Sequence, residues 1–284
     1  MERIRKVQIE TLRGCNARCR ICTYKDEQEH SLRPMHEDVF ASIVRQIRDL
    51  ANLEVVCLYN HNEPLLDRGL AEKIRFVKSL LPRIRVEIST NGLLLTDRNV
   101  DEICELVDDL WISFHGVDQR SYEFNMGNLP WSNALKLRRL IRERPEKFFV
   151  LSIGLTPEYD EGRVRRFWEG FRNVKLMTFY PRSRAGNIRS DAVQYFHNPP
   201  ESSYDCWRFN LFLMYNMEGG VIPCSNDVGG RHVFAGYTDP LPKIMQERDR
   251  FREMNRTGLR TICWECEDAV AKRGCDGRLA VQGR

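Results

Sequence analysis

The chain has 284 residues, of which 42% are hydrophobic and ten are Cys, and its 44 Lys and Arg stand against 40 Asp and Glu. So even a balance gives no ground for a nucleic-acid or membrane-surface partner, and no apolar run approaches the ~20 residues of a spanning helix. The start, Met1-Glu2-Arg3-Ile4-Arg5-Lys6, is basic but lacks the apolar core of a secretory signal, so a cytoplasmic location is expected. That compartment keeps thiols reduced, which turns ten Cys away from a disulfide framework and toward metal binding or catalysis.

Taken in chain order, β-branched runs predict strands at 7–12, 55–59, 86–90, 110–114, 148–155 and 174–180. Helical spacing separates them, as in Val39, Phe40, Ile43, Val44, Ile47 and Leu50, and again in Leu70, Ile74, Val77 and Leu81. Six strands alternating with helices imply an α/β fold with a parallel sheet, open or rolled into a partial barrel, whose chemistry gathers at the carboxyl ends of the strands. After Tyr180 the residues 181–204 read as a polar connecting loop. A hairpin follows, 211–216 with 221–223, then a helix over 242–254 and a Cys-rich tail.

The first predicted strand runs into Cys15-Asn-Ala-Arg-Cys19-Arg-Ile-Cys22. Three thiolates on one short loop hold three corners of a [4Fe–4S] cube and leave the fourth iron open. Zinc would ask for a fourth protein ligand, and the only near candidates, His30 and His36, are poorly spaced. A Cys-x3-Cys-x2-Cys loop at the end of the first strand of a β/α chain resembles the radical S-adenosylmethionine (radical SAM) enzymes, over essentially the whole length. The resemblance implies a partial (β/α)6 TIM-like barrel. It also implies that the open iron binds the amino and carboxylate groups of S-adenosylmethionine, and that reductive cleavage yields a 5′-deoxyadenosyl radical which removes a substrate hydrogen. An electron donor such as flavodoxin or ferredoxin is implied with it. Asn60-His61-Asn62-Glu63-Pro64 looks like the family's Gly-Gly-Glu-Pro segment, so Glu63 is expected to accept a hydrogen bond from the cofactor's amino group; His61 and Asn62 stand where the family has glycines. Ser89-Thr90-Asn91-Gly92 is similar to the Thr-Asn-Gly segment, and Ser113-Phe114-His115-Gly116 closes the fourth strand, where a Ser near the cofactor is common. On these likenesses Tyr24, Glu63, Asn91, Ser113 and Arg184 are cofactor-binding candidates, and His115 and Arg182 substrate contacts. The plainer alternatives are a turn at Asn91-Gly92, packing at Ser113, a structural His115 and a solvated loop at the two arginines.

Cys206, Cys224, Cys263 and Cys266 form a second set of four thiols. Spacing alone leaves zinc and a second Fe–S cluster open. The pattern is similar to the twitch domain, a shortened SPASM domain, behind some radical SAM barrels, which implies one auxiliary [4Fe–4S] cluster and a division into a barrel over 1–190 and a twitch-type domain over 191–284. The layout is closest to dehydrogenases and epimerases that tailor aminocyclitols and aminoglycosides, so a small carbohydrate-like substrate is expected. Abstraction at a carbinol carbon then ends in epimerisation, if a thiol returns hydrogen to the opposite face, or in a ketone, if an electron and a proton leave. Cys275, nine residues past Cys266, is unassigned by either cluster and is the candidate hydrogen donor, which places epimerase slightly ahead of dehydrogenase; its alternatives are a substitute auxiliary ligand and a packing residue. Cys57 and Cys104 read as packing residues. Asp118, Glu158 and Asp227 are carboxylates able to bind an aminosugar's ammonium groups, and the sequence does not rank them. A peptide-modifying radical SAM enzyme and a zinc-stabilised binding module without redox chemistry are the remaining alternatives.

Overall fold

A computed structural model of the chain describes residues 3–25, 32–188, 206–257 and 261–266. The six expected strands are β1 (Lys6–Ile9), β2 (Val55–Cys57), β3 (Arg85–Thr90), β4 (Asp109–Ser113), β5 (Phe149–Gly154) and β6 (Val174–Phe179). They pair in parallel in sequence order, β6-β5-β4-β3-β2-β1. Parallel pairing demands a crossover after each strand. Those crossovers carry α1 (Glu37–Ile47), α2 (Leu70–Leu80), α3 (Val100–Leu106), α4 (Gln119–Met126), α5 (Trp131–Arg142) and α6 (Glu161–Phe167). The first strand stops three residues early. Beyond Ile9 the chain leaves the ladder for isolated bridges, Leu12 to Pro34 and Gly14 to Asn62, and so carries the cysteine loop over the strand ends.

Strand alternation sorts the side chains onto two faces. Val7, Ile9, Val56, Leu58, Val86, Ile88, Leu110 and Ile112 are fully buried with Phe40, Ile43, Val44, Ile74, Val77 and Leu137 of the helices. Each such side chain contributes about 1.5–3 kcal/mol by leaving water. The opposite, concave face is polar at its amino-terminal end. There the buried Glu87 accepts from Lys6 Nζ at 3.1 Å, from Cys57 Sγ at 3.6 Å and from the Tyr59 hydroxyl. Cys57 is buried and Cys104 half-buried against the core, both in packing positions.

The C-terminal part comprises α7 (Trp207–Leu211), β7 (Phe212–Tyr215), β8 (Gly220–Ile222), β9 (Ala235–Gly236), α8 (Leu241–Arg256) and a 3-10 turn (Ile262–Glu265). The expected hairpin is β7 with β8, antiparallel. Gly219 makes its turn possible, with φ of +81° and Tyr237 2.5 Å from where a Cβ would stand. What periodicity does not announce is that β7 pairs in parallel with the free edge of β1, so the sheet runs on as β1-β7-β8-β9. The expected domain boundary at 190/191 lies outside the described residues, and the strands beyond it continue the barrel's own sheet. Arg248 of α8, nearly fully buried, donates to the carbonyls of Phe209 and Phe212 and fixes α8 on the start of β7. Among the described residues no helix is long and apolar enough to cross a membrane.

Candidate functional site

The 15–22 loop crosses the carboxyl ends of the strands. Its sulfurs collect amide donors: Ala17 N lies 3.4 Å from Cys15 Sγ, Tyr24 N 3.4 Å from Cys22 Sγ, and Asn91 Nδ2 3.8 Å from Cys15 Sγ. Burial pushes the Cys15 thiol up to about 12 and Cys19 well above its ordinary value, and repulsion between neighbouring thiolates adds to it. Thiols crowded in an apolar pocket with N–H groups aimed at sulfur call for a cation that replaces their protons. The loop rests on the end of α4. Arg20 N donates to Asn125 O at 2.9 Å, and a Cβ on Gly127, at φ +70°, would sit 2.2 Å from Arg18 O.

Glu63 stands beside this loop, 2% exposed. Its Oε1 accepts from Thr90 Oγ1 at 2.6 Å and Leu65 N at 3.1 Å, and Oε2 accepts from Asn91 N at 2.7 Å. Burial outweighs these three bonds and raises the carboxyl to about 7. A carboxylate has roughly four acceptor positions, so Oε2 retains one for an incoming ammonium. Asn91 also donates to Asn16 Oδ1 at 2.6 Å, which ties the end of β3 to the cysteine loop. The expected Glu63, Asn91 and Cys15 are thus one hydrogen-bonded group.

Tyr24 is buried and its ring stacks on His61, 5.9 Å between centroids. His61 Nε2 lies 2.7 Å from the carbonyl oxygen of Ser225, and burial lowers the pKa of the ring, which is neutral. His115, also buried, accepts from Gly154 N at 3.0 Å through Nδ1, which leaves the proton on Nε2, and burial lowers its pKa to about 4. Arg184 follows β6 in a left-handed turn, with φ of +51° at Arg184 and +59° at Ala185. Its positive charge acts to lower the pKa values of Cys22, His61 and His115, each as a lesser contribution beside burial. Arg182, in the same segment, and Ser113, at the end of β4, are half-buried.

Cys206, Cys224, Cys263 and Cys266 line one cavity with Ala185, Arg208 and Asn226. Cys206 precedes α7, Cys224 follows β8, and the last two come from the 3-10 turn. Asn226 N lies 3.3 Å from Cys224 Sγ, and its side-chain amide 3.8 Å from Cys266 Sγ. Burial, with repulsion from Cys224, Cys266 and Cys206, raises the Cys263 thiol. Among the described residues no group of three or more His, Cys, Asp or Glu is arranged to hold a single metal ion. In a [4Fe–4S] cube each thiolate takes its own iron, so the ligands stand apart at separate corners. Both thiol sets fit that donor chemistry.

Cys275 and His30 lie outside the described residues. The three carboxylates considered for ammonium groups are engaged by their own chain. Asp118 caps α4 and pairs with Arg163 at 2.6 Å, Glu158 pairs with Arg20 at 3.1 Å, and Asp227 accepts from Arg231 N, His232 N and His232 Nδ1. Sequence reasoning missed Asn226, Asn187, which donates to Asn226 O at 2.7 Å, and Gly127. No spacing rule marks them, because their partners are distant in the chain. His61 carried a signal, as a bulky residue at a position where the family motif has glycine.

The model of the radical SAM superfamily matches residues 9–166. A curated relative from Pyrococcus furiosus, the tungsten-containing aldehyde ferredoxin oxidoreductase cofactor-modifying protein, is 29% identical over 140 residues. That match covers 49% of this chain and only 38% of the relative, so the chain matches less than half of the relative's length. Among solved structures, BtrN in complex with AdoMet and 2-DOIA superposes with a TM-score of 0.66 at 17% identity, over 93% of each chain. SuiB from Streptococcus suis, bound to precursor peptide SuiA, superposes with a TM-score of 0.70 at 13% identity, over 94% of this chain and 72% of that one. The structural likenesses show a shared fold that extends past the barrel into the C-terminal part. With more than half of its residues matched by the family model, the chain belongs to the radical SAM superfamily.

Proposed function

We propose that the protein is a radical SAM dehydrogenase that oxidises a secondary alcohol on a small carbohydrate-like substrate. Cys15, Cys19 and Cys22 would hold the S-adenosylmethionine-binding [4Fe–4S] cluster, and Cys206, Cys224, Cys263 and Cys266 an auxiliary one. Glu63 would receive the cofactor's amino group on the free position of Oε2, with Asn91 holding Glu63 in place. Tyr24, Ser113 and Arg184 surround the same strand ends, and the Nε2–H of His115 and the guanidinium of Arg182 are the donors offered to substrate. When bound, these groups supply a hydrogen-abstracting radical on one side and an acceptor for one electron on the other, the electron for cofactor cleavage coming from a flavodoxin- or ferredoxin-like donor.

The single observation that carries the oxidative reading is the cavity lined by four thiols, whose lining residue Asn226 accepts from Asn187 after β6 and whose neighbour Ser225 accepts from His61 after β2. A substrate carbon that has lost a hydrogen atom becomes a ketone only when one further electron and one proton leave, and a cluster held by the four thiols would be the acceptor for that electron. BtrN, which shares the fold and was solved with 2-DOIA, supports the choice of an aminocyclitol-like substrate class. Epimerisation would require Cys275 as hydrogen donor.

The test is anaerobic reconstitution followed by turnover of an aminocyclitol and amino-sugar panel in deuterated water. We expect about eight irons per chain, 5′-deoxyadenosine, and a ketone. Solvent deuterium at an inverted carbon would make the enzyme an epimerase. Turnover of a peptide in place of these substrates, or stoichiometric zinc in the second site, would overturn the reading.

A further inference from the structure

His61 lies between the two thiol sets. Its ring stacks on Tyr24 with 14° between the planes, and the backbone N–H of Tyr24 donates to Cys22 Sγ. At 2.7 Å from its Nε2 is the carbonyl oxygen of Ser225. A carbonyl can only accept, so Nε2 carries the proton and the tautomer is set by this bond. Ser225 follows Cys224 directly, and the next amide, Asn226 N, donates to Cys224 Sγ while its side chain reaches Cys266 Sγ. Cys22 and Cys224 are therefore joined through one imidazole, from amide to ring to ring to carbonyl.

Both contacts need this side chain. A flat ring is required to lie parallel to Tyr24, and a side-chain N–H to reach Ser225. The glycine of the resembling motif would provide neither. His61 is 9% exposed, and its acceptor nitrogen Nδ1 has Asn60 Nδ2 at 3.5 Å.

We propose that His61 is a positioning residue that couples the two cysteine sites, holding the 15–22 loop in register with the loop after β8, so that filling the second site tightens S-adenosylmethionine binding at the first. Cys224 and Cys266, once they hold a metal centre, would fix the Ser225 carbonyl; that carbonyl orients the imidazole, and the imidazole orients Tyr24, whose amide donates to Cys22 Sγ. The inference rests on the proposed function only in requiring a metal centre at the second site.

A double-mutant cycle on the full, anaerobically reconstituted chain tests it. S-adenosylmethionine Kd is measured by equilibrium dialysis for the wild type, His61→Phe, Cys266→Ala and the double variant. His61→Phe keeps a ring on Tyr24 and loses the donor to Ser225. We expect each single change to weaken binding about five- to tenfold, and the double variant to be no weaker than the weaker single. A second readout is the EPR signal of the reduced second site, which should shift on adding S-adenosylmethionine in the wild type and stay unmoved in His61→Phe. Penalties that multiply in the double variant, or an unchanged Kd in His61→Phe, would overturn the coupling. Should His61→Phe fail to fold, the cycle is run with His61→Gln, whose amide N–H restores the bond to Ser225. Gln is then expected to retain part of the coupling, and full loss or full retention overturns the proposal. Metal analysis separates the two failures: zinc at the second site sinks the auxiliary-cluster reading while the cycle still decides the role of His61.

Discussion

Cys15, Cys19 and Cys22 meet within eight consecutive residues, whereas Cys206, Cys224, Cys263 and Cys266 are gathered from a helix start, a strand end and a 3-10 turn spread over residues 206–266. Closing the longer span costs about 2 kcal/mol more in chain entropy than closing the short one. The second site forms only because β7 docks on β1 and Arg248 fixes α8 behind it. The first is a local loop seated on α4; the second is a product of tertiary packing. Two thiol sets of the same chemistry therefore have different weak points.

The comparison can be broken most severely at the first loop. Cys19→Ala should abolish 5′-deoxyadenosine formation, at least a hundredfold, with iron content falling by about half. If the second set were disturbed equally, the two sites would not be separately built. Cys224→Ala should do the reverse: substrate oxidation is lost, while S-adenosylmethionine cleavage persists at a reduced rate, read by separate assays of the two products.

Gly127→Ala sharpens the same contrast without touching a thiol. The new Cβ meets Arg18 O, and a positive φ of +70° adds backbone strain that an L-residue with a Cβ carries and glycine does not. Iron at the first site should drop and Tm should fall, with the second site's iron kept.

Glu63 predicts a pH effect confined to the first site. With its carboxyl at about 7, a nearby ammonium favours the ionised form, so S-adenosylmethionine affinity should rise as pH increases through about 7 and level off above. Glu63→Gln should lose that limb. The folding linkage has the opposite sign, because a carboxyl raised on folding contributes stability that is complete below its unfolded value and is lost as pH climbs through about 7. Thermal unfolding from pH 4 to pH 8 would show this decline in the wild type and not in the variant. The smallest effect belongs to Cys57→Ala, which removes a weak donor to Glu87 and a buried sulfur at a cost of about 1 kcal/mol, with cluster content and product formation unchanged.

Much of this was legible in the chain. Apolar alternation located all six barrel strands, since whether a strand can face a helix layer is a property of neighbouring residues. The Cys15, Cys19 and Cys22 spacing put three thiols on one loop for the same reason, and the Glu63 and Asn91 segments were legible as consecutive strand ends that meet it. The carboxylates of Asp118, Glu158 and Asp227 could not be ranked from sequence, because their fate depends on Arg163, Arg20 and His232, which only the folded chain brings to them. Gly127 reads as an ordinary helix stop until Arg18 is seen against it.

The sequence by itself determined the alternating α/β architecture and the gathering of three thiols on one loop, both written in short-range spacing. Only the tertiary structure decided that the C-terminal hairpin extends the sheet from the edge of β1, that four distant thiols share one cavity, and that His61 stands between the two sets. Those facts depend on which strand edge and which carbonyl a group meets across the fold, and a backbone donor looks the same in sequence whichever partner it finds.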